Sequence, residues 1–404
     1  MKKFHGDKVL FLMVCILMVF GLVMITSIGV PKSIELSAPD ILYPNCSDPQ
    51  VDCYLLLKSH FLRLLLGGVI MLVAAKIPYR FWKKISVVLF GLTVILLFFV
   101  LIAGSKYTTF AKSWLVLFDR FSLQPTEFAK LALIFYLANW FERKSSAVES
   151  FEYGFLPFCI ITGAMMIPIL LQPDLGGSLV TASVAVAIFY SAGAKLRHLA
   201  LGGFVAFLAM LLLATANVSH VGDRFKAFLN LDTTGVQCSE KYCWQSKQAN
   251  IAVGSGGFWG KGLTQGVQKS LWLPQAVDDF IFAASAEELG FVRIFLLVLI
   301  YGVIAWRGYT IALRASNRFA MLTAVGITTL IFFQAVINIA VNIALMPVTG
   351  ITLPFVSYGG SSLISMLLAT GILLNISQNS SDYAPDSKRR GNRRTYYPQY
   401  RSYS

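Results

Sequence analysis

The sequence predicts an all-α polytopic membrane protein of about ten transmembrane helices. Three observations carry that expectation. Of the 404 residues 56% are hydrophobic and only 13% charged, with a mean hydropathy of +0.67, a balance that a soluble domain of this size does not keep in water. A span needs roughly 20 mostly apolar residues to cross a hydrocarbon core about 30 Å thick, and such stretches recur along the chain. The basic residues of the short loops fall in every second connection, the pattern that sets orientation.

The first apolar stretch, residues 9–30, follows Lys2, Lys3 and Lys8. It is long and lacks a small-x-small cleavage site, so it reads as an uncleaved helix and not as a secretory signal peptide. Spans follow over residues 60–75, 85–103, 128–141, 155–171, 175–192 and 199–218, and then over 280–306, 319–346 and 362–376. An even number puts both termini on one side. The N-terminus, Arg80 with Lys84, Arg143 with Lys144, Lys195 with Arg197, Arg307 with Arg318, and the basic tail then share that side, which the positive-inside rule makes cytoplasmic. The net charge of +14 therefore reflects topology and anionic headgroups. No aromatic-basic module points to nucleic acid.

Residues 1–378 read as one transmembrane domain, and residues 379–404 as a basic cytoplasmic tail, expected to be disordered and to touch lipid or a partner. The one long hydrophilic interruption, residues 219–277, forms an extracytoplasmic loop between helices 7 and 8. Four of the six cysteines fall in external segments as close pairs, Cys46 with Cys53 and Cys238 with Cys243. Disulfides within or between the pairs are both open, because spacing does not fix connectivity. Cys15 and Cys159 lie in apolar helices and read as core residues.

Ionisable groups beside spans are costly and are functional candidates for that reason. In the run 124–130, Glu127 and Lys130 project from one helix face after Pro125; an ion pair holding the helix start competes with a functional role. In the run 172–177, Gln172 and Asp174 sit at a break between helices, where a carboxylate is favoured by the helix dipole and capping alone would explain it. The run 252–262 is glycine-rich and carries Lys261. Its amides could approach a ligand and its lysine suits phosphate, or it is a plain flexible turn. Lys269, with Arg224, Lys226, Lys241, Lys247 and Lys261, gives the same external segment an excess of cations, which an anionic partner would explain.

Asp278 and Asp279 stand at the entrance of an apolar helix that continues to Glu287 and Glu288. Half-solvated at such a boundary, a carboxylate can act as a general base: Asp278 is expected as the helix cap and Asp279 as the base, unless both serve only capping and dipole. Gln334, Asn338 and Asn342 are spaced by four along one helix, a stripe suited to interhelical hydrogen bonds. That helix leads into an irregular run holding Ser357, Tyr358 and Ser361, whose Gly and Pro backbone is tolerated at membrane depth only against protein or water.

The order QPTEFAK, QPDLGG, GSGGFWGKGL, the DFIFA and EELGF run, and MPVTGITLPFVSYGGSS resembles the SEDS family (shape, elongation, division and sporulation), typified by FtsW and RodA, over roughly residues 9–378. The run 266–269 before LWLP looks more like FtsW. The resemblance implies a peptidoglycan glycosyltransferase that polymerises lipid II, a disaccharide-pentapeptide on undecaprenyl pyrophosphate, at the outer face of the bacterial cytoplasmic membrane. It implies that Asp279 matches the family's essential aspartate, that Lys112, Lys130 and Lys261 are the candidates to stabilise the leaving pyrophosphate, and that Trp114 and Glu288 belong with the substrate-binding residues above. Where the family shows His-Thr before the aspartate this chain has Val277-Asp278, and where it shows Arg-Arg before the first external Trp this chain has Lys112-Ser113. No cofactor or metal-ligand set is implied, although Mg or Mn is compatible with a pyrophosphate. The implied partners are undecaprenyl-pyrophosphate-linked glycan, a class B penicillin-binding protein and other divisome or elongasome membrane proteins. A lipid-linked precursor flippase and a non-catalytic divisome scaffold are the rival functions; charges gathered at external helix ends, away from the midplane, favour surface chemistry.

Overall fold

The computed structural model describes residues 6–41, 44–104, 113–117, 121–145, 147–204, 240–270 and 272–379, with Arg224 and Phe228. Its helices are α1 (Lys8–Ile28), α2 (Val30–Ser37), α3 (Leu55–Ala74), α4 (Tyr79–Ala103), α5 (Pro125–Arg143), α6 (Leu156–Leu171), α7 (Leu175–Ser191), α8 (Glu240–Gly256), α9 (Ile281–Leu313), α10 (Arg318–Asn342) and α11 (Gly360–Gln378). A short antiparallel hairpin, β1 (Leu115–Leu117) with β2 (Phe121–Leu123), feeds α5. Every expected apolar stretch holds a helix as far as it is described; of residues 199–218 the described part, 199–204, is helical and the rest lies outside the described residues.

Among the described residues seven helices are long and apolar enough to cross a membrane, namely Lys8–Ile28, Leu55–Ala74, Tyr79–Ile102, Phe151–Leu171, Ile281–Leu313, Arg318–Asn342 and Gly360–Gln378, and α7 is a shorter apolar helix. The chain is thus a multi-pass helical membrane protein. Its layers are inverted relative to a soluble fold. The apolar helices α3 and α4 are only 22% buried and present Leu62, Leu66, Val69, Val88, Ile95 and Phe99 outward, whereas α10 and α11, with more polar residues, are 72% and 78% buried. Outward leucine and isoleucine are stable only against hydrocarbon. Helix α5 packs against α4, α7 and α10 and keeps its charged first turn inside.

At one end of the bundle Asp7 caps α1 by accepting from the Leu10 N–H (2.9 Å), pairs with Arg307 near the end of α9, and donates its own N–H to the Ser377 hydroxyl oxygen of α11 (3.0 Å). The first helix and the last are therefore tied at the same end. At the other end Cys46 and Cys53 form a disulfide. The loop it closes packs Ala38 and Val51 against Val30, Ile34 and Ile41, bracing α2. Bonding is within the first cysteine pair. Cys243 is also disulfide-bonded; Cys238 lies outside the described residues.

The largest departure from the sequence reading concerns the run 252–262 and α9. Residues 252–256 belong to α8, and Gly256 and Gly260 meet the backbone of α9. Helix α9 is broken at Gly290 (φ 76°, ψ 173°), in the region open to glycine. The break removes the bonds that Phe291 and Val292 N–H would make to the Glu287 and Glu288 carbonyls. Residues 257–262 replace them reciprocally. Phe291 N–H donates to the Gly257 carbonyl (2.9 Å) and Val292 N–H to that of Phe258 (3.3 Å), while the Lys261 and Gly262 N–H groups donate to the Glu287 and Glu288 carbonyls (3.0 Å each). A Cβ at Gly256 would stand 2.1 Å from the Ala286 oxygen and one at Gly260 2.2 Å from the Glu288 oxygen. These glycines exist to bring two backbones together where no water can satisfy the freed groups.

The same insertion neutralises two buried carboxylates. Glu287 is reached by Lys261 (2.6 Å) and by the N–H groups of Val267 and Gln268 (3.1 and 3.0 Å). Glu288 is reached by Lys269 (2.7 Å), the Ser27 hydroxyl of α1 and the Thr264 N–H.

Candidate active site

The turn before α9 is held at three successive carbonyls. Tyr358 N–H donates to the Val277 carbonyl (2.9 Å), the Ser357 hydroxyl to that of Asp278 (2.6 Å), and the Asn338 and Asn342 amides to that of Asp279 (2.8 and 2.9 Å). Asn338 also donates to the Ile351 carbonyl (2.7 Å) and Asn342 to the Asn338 carbonyl (2.9 Å), so α10 and the irregular run 343–359 form one clamp.

The expected cap at Asp278 is not observed. The N-cap of α9 is Phe280, with no side-chain bond of its own. Asn342 supplies the cap from α10 by accepting from the Ala283 N–H (2.9 Å), satisfying an orphan donor of the first turn. Among the described residues neither the Asp278 nor the Asp279 carboxylate accepts a hydrogen bond, so capping does not explain these two charges. Changing Asn342 to Ala removes the cap and one carbonyl anchor together. A loss of about 1–3 kcal/mol of stability is expected, read as a lower Tm in detergent.

Both carboxylates are half-buried and enclosed by low-dielectric protein. Burial pushes Asp279 up to about 6, with the Arg224 guanidinium opposing and the Asp174 charge adding to the rise. Burial and the Asp279 charge hold Asp278 well above the ordinary carboxylate range, against Arg63 and Lys32. The pair therefore faces two different sets of cations. Gly350 (φ 76°) lies over Asp279, where a Cβ would stand 3.8 Å from Oδ2.

Asp174 is the N-cap of α7, with Oδ1 accepting from the Gly177 N–H (2.8 Å). Burial raises its pKa, and the charges of Lys130 and Arg224 pull against that rise. A Cβ at Gly176 would stand 2.2 Å from Ile351 Cγ1, so the QPDLGG glycine lets α7 reach the run 343–359. Arg224 donates to the Val348 and Thr349 carbonyls (3.3 and 3.4 Å) of that run. Lys130 is buried and bonded to Glu127 (2.8 Å) and Gln334 (2.9 Å). Gln334 continues to the Thr352 carbonyl and the Ser362 hydroxyl, and Ser365 completes Glu127 at 3.3 Å. The helix-start ion pair is thus real and extends into a network that positions the run opposite Asp279.

Other residues singled out by sequence take supporting places. Gln172 donates to the Leu97 carbonyl of α4 (3.0 Å), and Ser361 accepts from the Gln124 N–H (3.0 Å). Trp114 is half-buried at the start of the hairpin. At the helix break the structure pairs Lys261 with Glu287 and Lys269 with Glu288. Lys112 lies outside the described residues. Sequence reasoning counted Arg224 only as one external cation among several and passed over Arg63 and Lys32, since none of them stands in a motif.

Two half-buried carboxylates, held at the start of a broken helix and raised in pKa by burial, give this multi-pass helical membrane protein a candidate acid–base site. The chain belongs to the FtsW/RodA/SpoVE family, whose profile, described as "Cell cycle protein", matches residues 7–382. It is 37% identical to the probable peptidoglycan glycosyltransferase FtsW of Trichlorobacter lovleyi, covering 92% of this chain and 93% of that one. It is 35% identical to stage V sporulation protein E of Bacillus subtilis, covering 94% and 99%. Among solved structures it matches a chain described under "Structural coordination of polymerization and crosslinking by a peptidoglycan synthase complex" (TM-score 0.73, 26% identity, 93% and 98% covered). It also matches the rod shape determining protein RodA of Thermus thermophilus (TM-score 0.66, 26% identity, 94% and 99% covered).

Proposed function

We propose that this chain is a peptidoglycan glycosyltransferase that joins lipid II units into β-1,4-linked glycan with Asp279 as general base. The observation that carries the assignment of the base is the Asp279 carboxylate itself: fixed through its backbone by two asparagines, left without a hydrogen bond among the described residues, and raised to about 6 by burial. A base with that value is mostly ionised at neutral pH and still basic enough to accept a proton. It takes the proton from the 4-hydroxyl of an incoming GlcNAc as that oxygen attacks the anomeric carbon of a MurNAc on lipid pyrophosphate. Inversion of the α-linked donor gives the β bond, and undecaprenyl pyrophosphate leaves from the donor's anomeric carbon.

Arg224, whose charge acts on Asp279 and Asp174, joins Lys112 and Lys130 as a cation suited to the developing charge. Lys130 acts from behind Glu127 and Gln334, through the field of the network. Gln172, Asp174, Asn338, Asn342, Ser357, Tyr358 and Ser361 keep substrate-binding or positioning roles in this reading, with Trp114 at the hairpin. Any Mg or Mn would share its coordination with the substrate, since among the described residues no three His, Cys, Asp or Glu side chains gather.

In this reading the chain has about ten spans, both termini cytoplasmic and the site at the outer face of the cytoplasmic membrane; the distribution of basic residues among the loops supports it. A class B penicillin-binding protein is the partner, a pairing favoured by the likeness to a synthase complex that coordinates polymerisation with crosslinking. Helix α9 resembles the broken helices of transporters, but the backbone groups freed by its break are taken up by residues 257–262, which argues against a substrate path there. Purified protein given lipid II, with the transpeptidase added, should yield glycan polymer; lipid II transport between leaflets without polymer would reject the assignment.

A further inference from the structure

Arg293 is a charge within a membrane span. It stands on α9 just past the break at Gly290, where its neighbours Phe291, Val292, Phe295 and Leu296 are exposed and apolar. A cation in such a place is costly, which makes it a functional candidate. Its side chain turns back along the helix, so that Nη1 donates to the Trp259 carbonyl (2.7 Å) and to the Leu289 carbonyl (3.1 Å). The guanidinium is thereby drawn toward the Asp279 end of the bundle, to the level where the next residue, Glu288, takes the Ser27 hydroxyl at the end of α1. Among the described residues Arg293 makes no ion pair, and its Nε and Nη2 have no hydrogen-bond partner.

From this guanidinium a groove of about 330 Å³ runs between α1 and α9. Met24 and Leu297 form its buried floor, and Ile16, Val23 and Leu296 are its exposed rims. Its α9 side extends from Leu289 to Ile300, about 17 Å at 1.5 Å per residue, close to one leaflet of a hydrocarbon core about 30 Å thick. A partner helix would need a face along the whole span, whereas an acyl chain needs one leaflet. Beside the head of the groove Phe258 and Trp259 are exposed, with the Phe258 ring edge-on to Phe291 (6.0 Å), and exposed aromatic rings are characteristic of the headgroup level.

We infer that this groove binds an anionic phospholipid, with one acyl chain between α1 and α9 and the headgroup phosphate on the Nε–Nη2 edge of Arg293. That edge matches two phosphate oxygens, and the two carbonyls on Nη1 hold it in place. A zwitterionic headgroup brings its own cation, so a guanidinium without an ion pair favours a lipid of net negative charge. The groove opens on the exposed face of α9, away from the clamp of α10 and residues 343–359 that holds Asp278 and Asp279. No step of the proposed polymerisation enters the inference.

The test is native mass spectrometry of the full-length protein released from phosphatidylcholine nanodiscs that hold a minor share of phosphatidylglycerol. The wild type should retain phosphatidylglycerol in preference to phosphatidylcholine, and Arg293→Gln should lower that preference by about fivefold or more. Val23→Trp, which fills the groove from an exposed rim, should lower retention of both lipids. If Arg293 serves only the Trp259 and Leu289 carbonyls, Arg293→Gln will lower Tm and leave the preference unchanged, which overturns the site. Should Arg293→Gln fail to fold, Val23→Trp decides, and unchanged retention in that variant is the contradicting result. Undecaprenyl phosphate added in equal amount should not displace phosphatidylglycerol; displacement would give the groove to a polyprenyl carrier and overturn the assignment, as would a dimer mass in place of retained lipid.

Discussion

Asp279→Asn should lower lipid II polymerisation by about 10²–10⁴-fold, the usual worth of a positioned general base, with Tm and membrane insertion unchanged. The substitution keeps size and leaves the backbone carbonyl that Asn338 and Asn342 hold. It also takes a carboxylate out of a desolvated site, so stability should hold or rise slightly. A large loss of rate without a loss of fold separates a chemical role from a structural one. A rate within about twofold of wild type, well short of that loss, would leave the acidic pair without a function in this account.

The second large effect concerns the broken helix. Lys269→Met leaves Glu288, which is 0% exposed, with a hydroxyl and one N–H as its remaining partners. Stripping one member from a buried pair costs about 3–5 kcal/mol, because the other charge stays desolvated. Thermal unfolding in detergent should show this as a drop in Tm. The Lys269→Met, Glu288→Gln double variant should recover much of it, since the neutral amide no longer needs a cation. No recovery would mean that Lys269 acts through packing and not through charge. Gly290→Ala should be at least as damaging, since a Cβ there would stand 2.2 Å from the Gly260 nitrogen, on a backbone that disfavours any side chain.

Local patterns already carried much of this fold. Apolar stretches of spanning length located the helices, and the four-residue spacing of Gln334, Asn338 and Asn342 correctly put them on one hydrogen-bonding stripe. The pairing of Glu127 with Lys130 was legible from their three-residue separation. The break at Gly290 was not, because residues 280–306 read as one apolar run and a single glycine does not by itself end a helix. Nor could spacing show that the glycines of 252–262 lie against α9, since that contact joins segments about thirty residues apart and depends on exchanged backbone bonds.

Asp278 was misread for a related reason. A carboxylate before a helix is an ordinary cap signal, but Asn342, some sixty residues later, takes that place here. The cation set of Arg63 and Lys32 is assembled from two helices and carries no motif. Its only sequence trace is an arginine inside an otherwise apolar span, costly enough to be a candidate in its own right.

The most direct test of the central claim is the pH dependence of kcat/KM for polymerisation by the purified protein, measured at lipid II well below saturation, which reports ionisation of the free enzyme. Asp279 must be ionised to accept the proton, and its pKa is raised to about 6, so the rate should fall as pH drops through about 6 and level off above about 7. A wild-type rate that stays flat from about pH 5 to 8, across that pKa, would contradict Asp279 as the base.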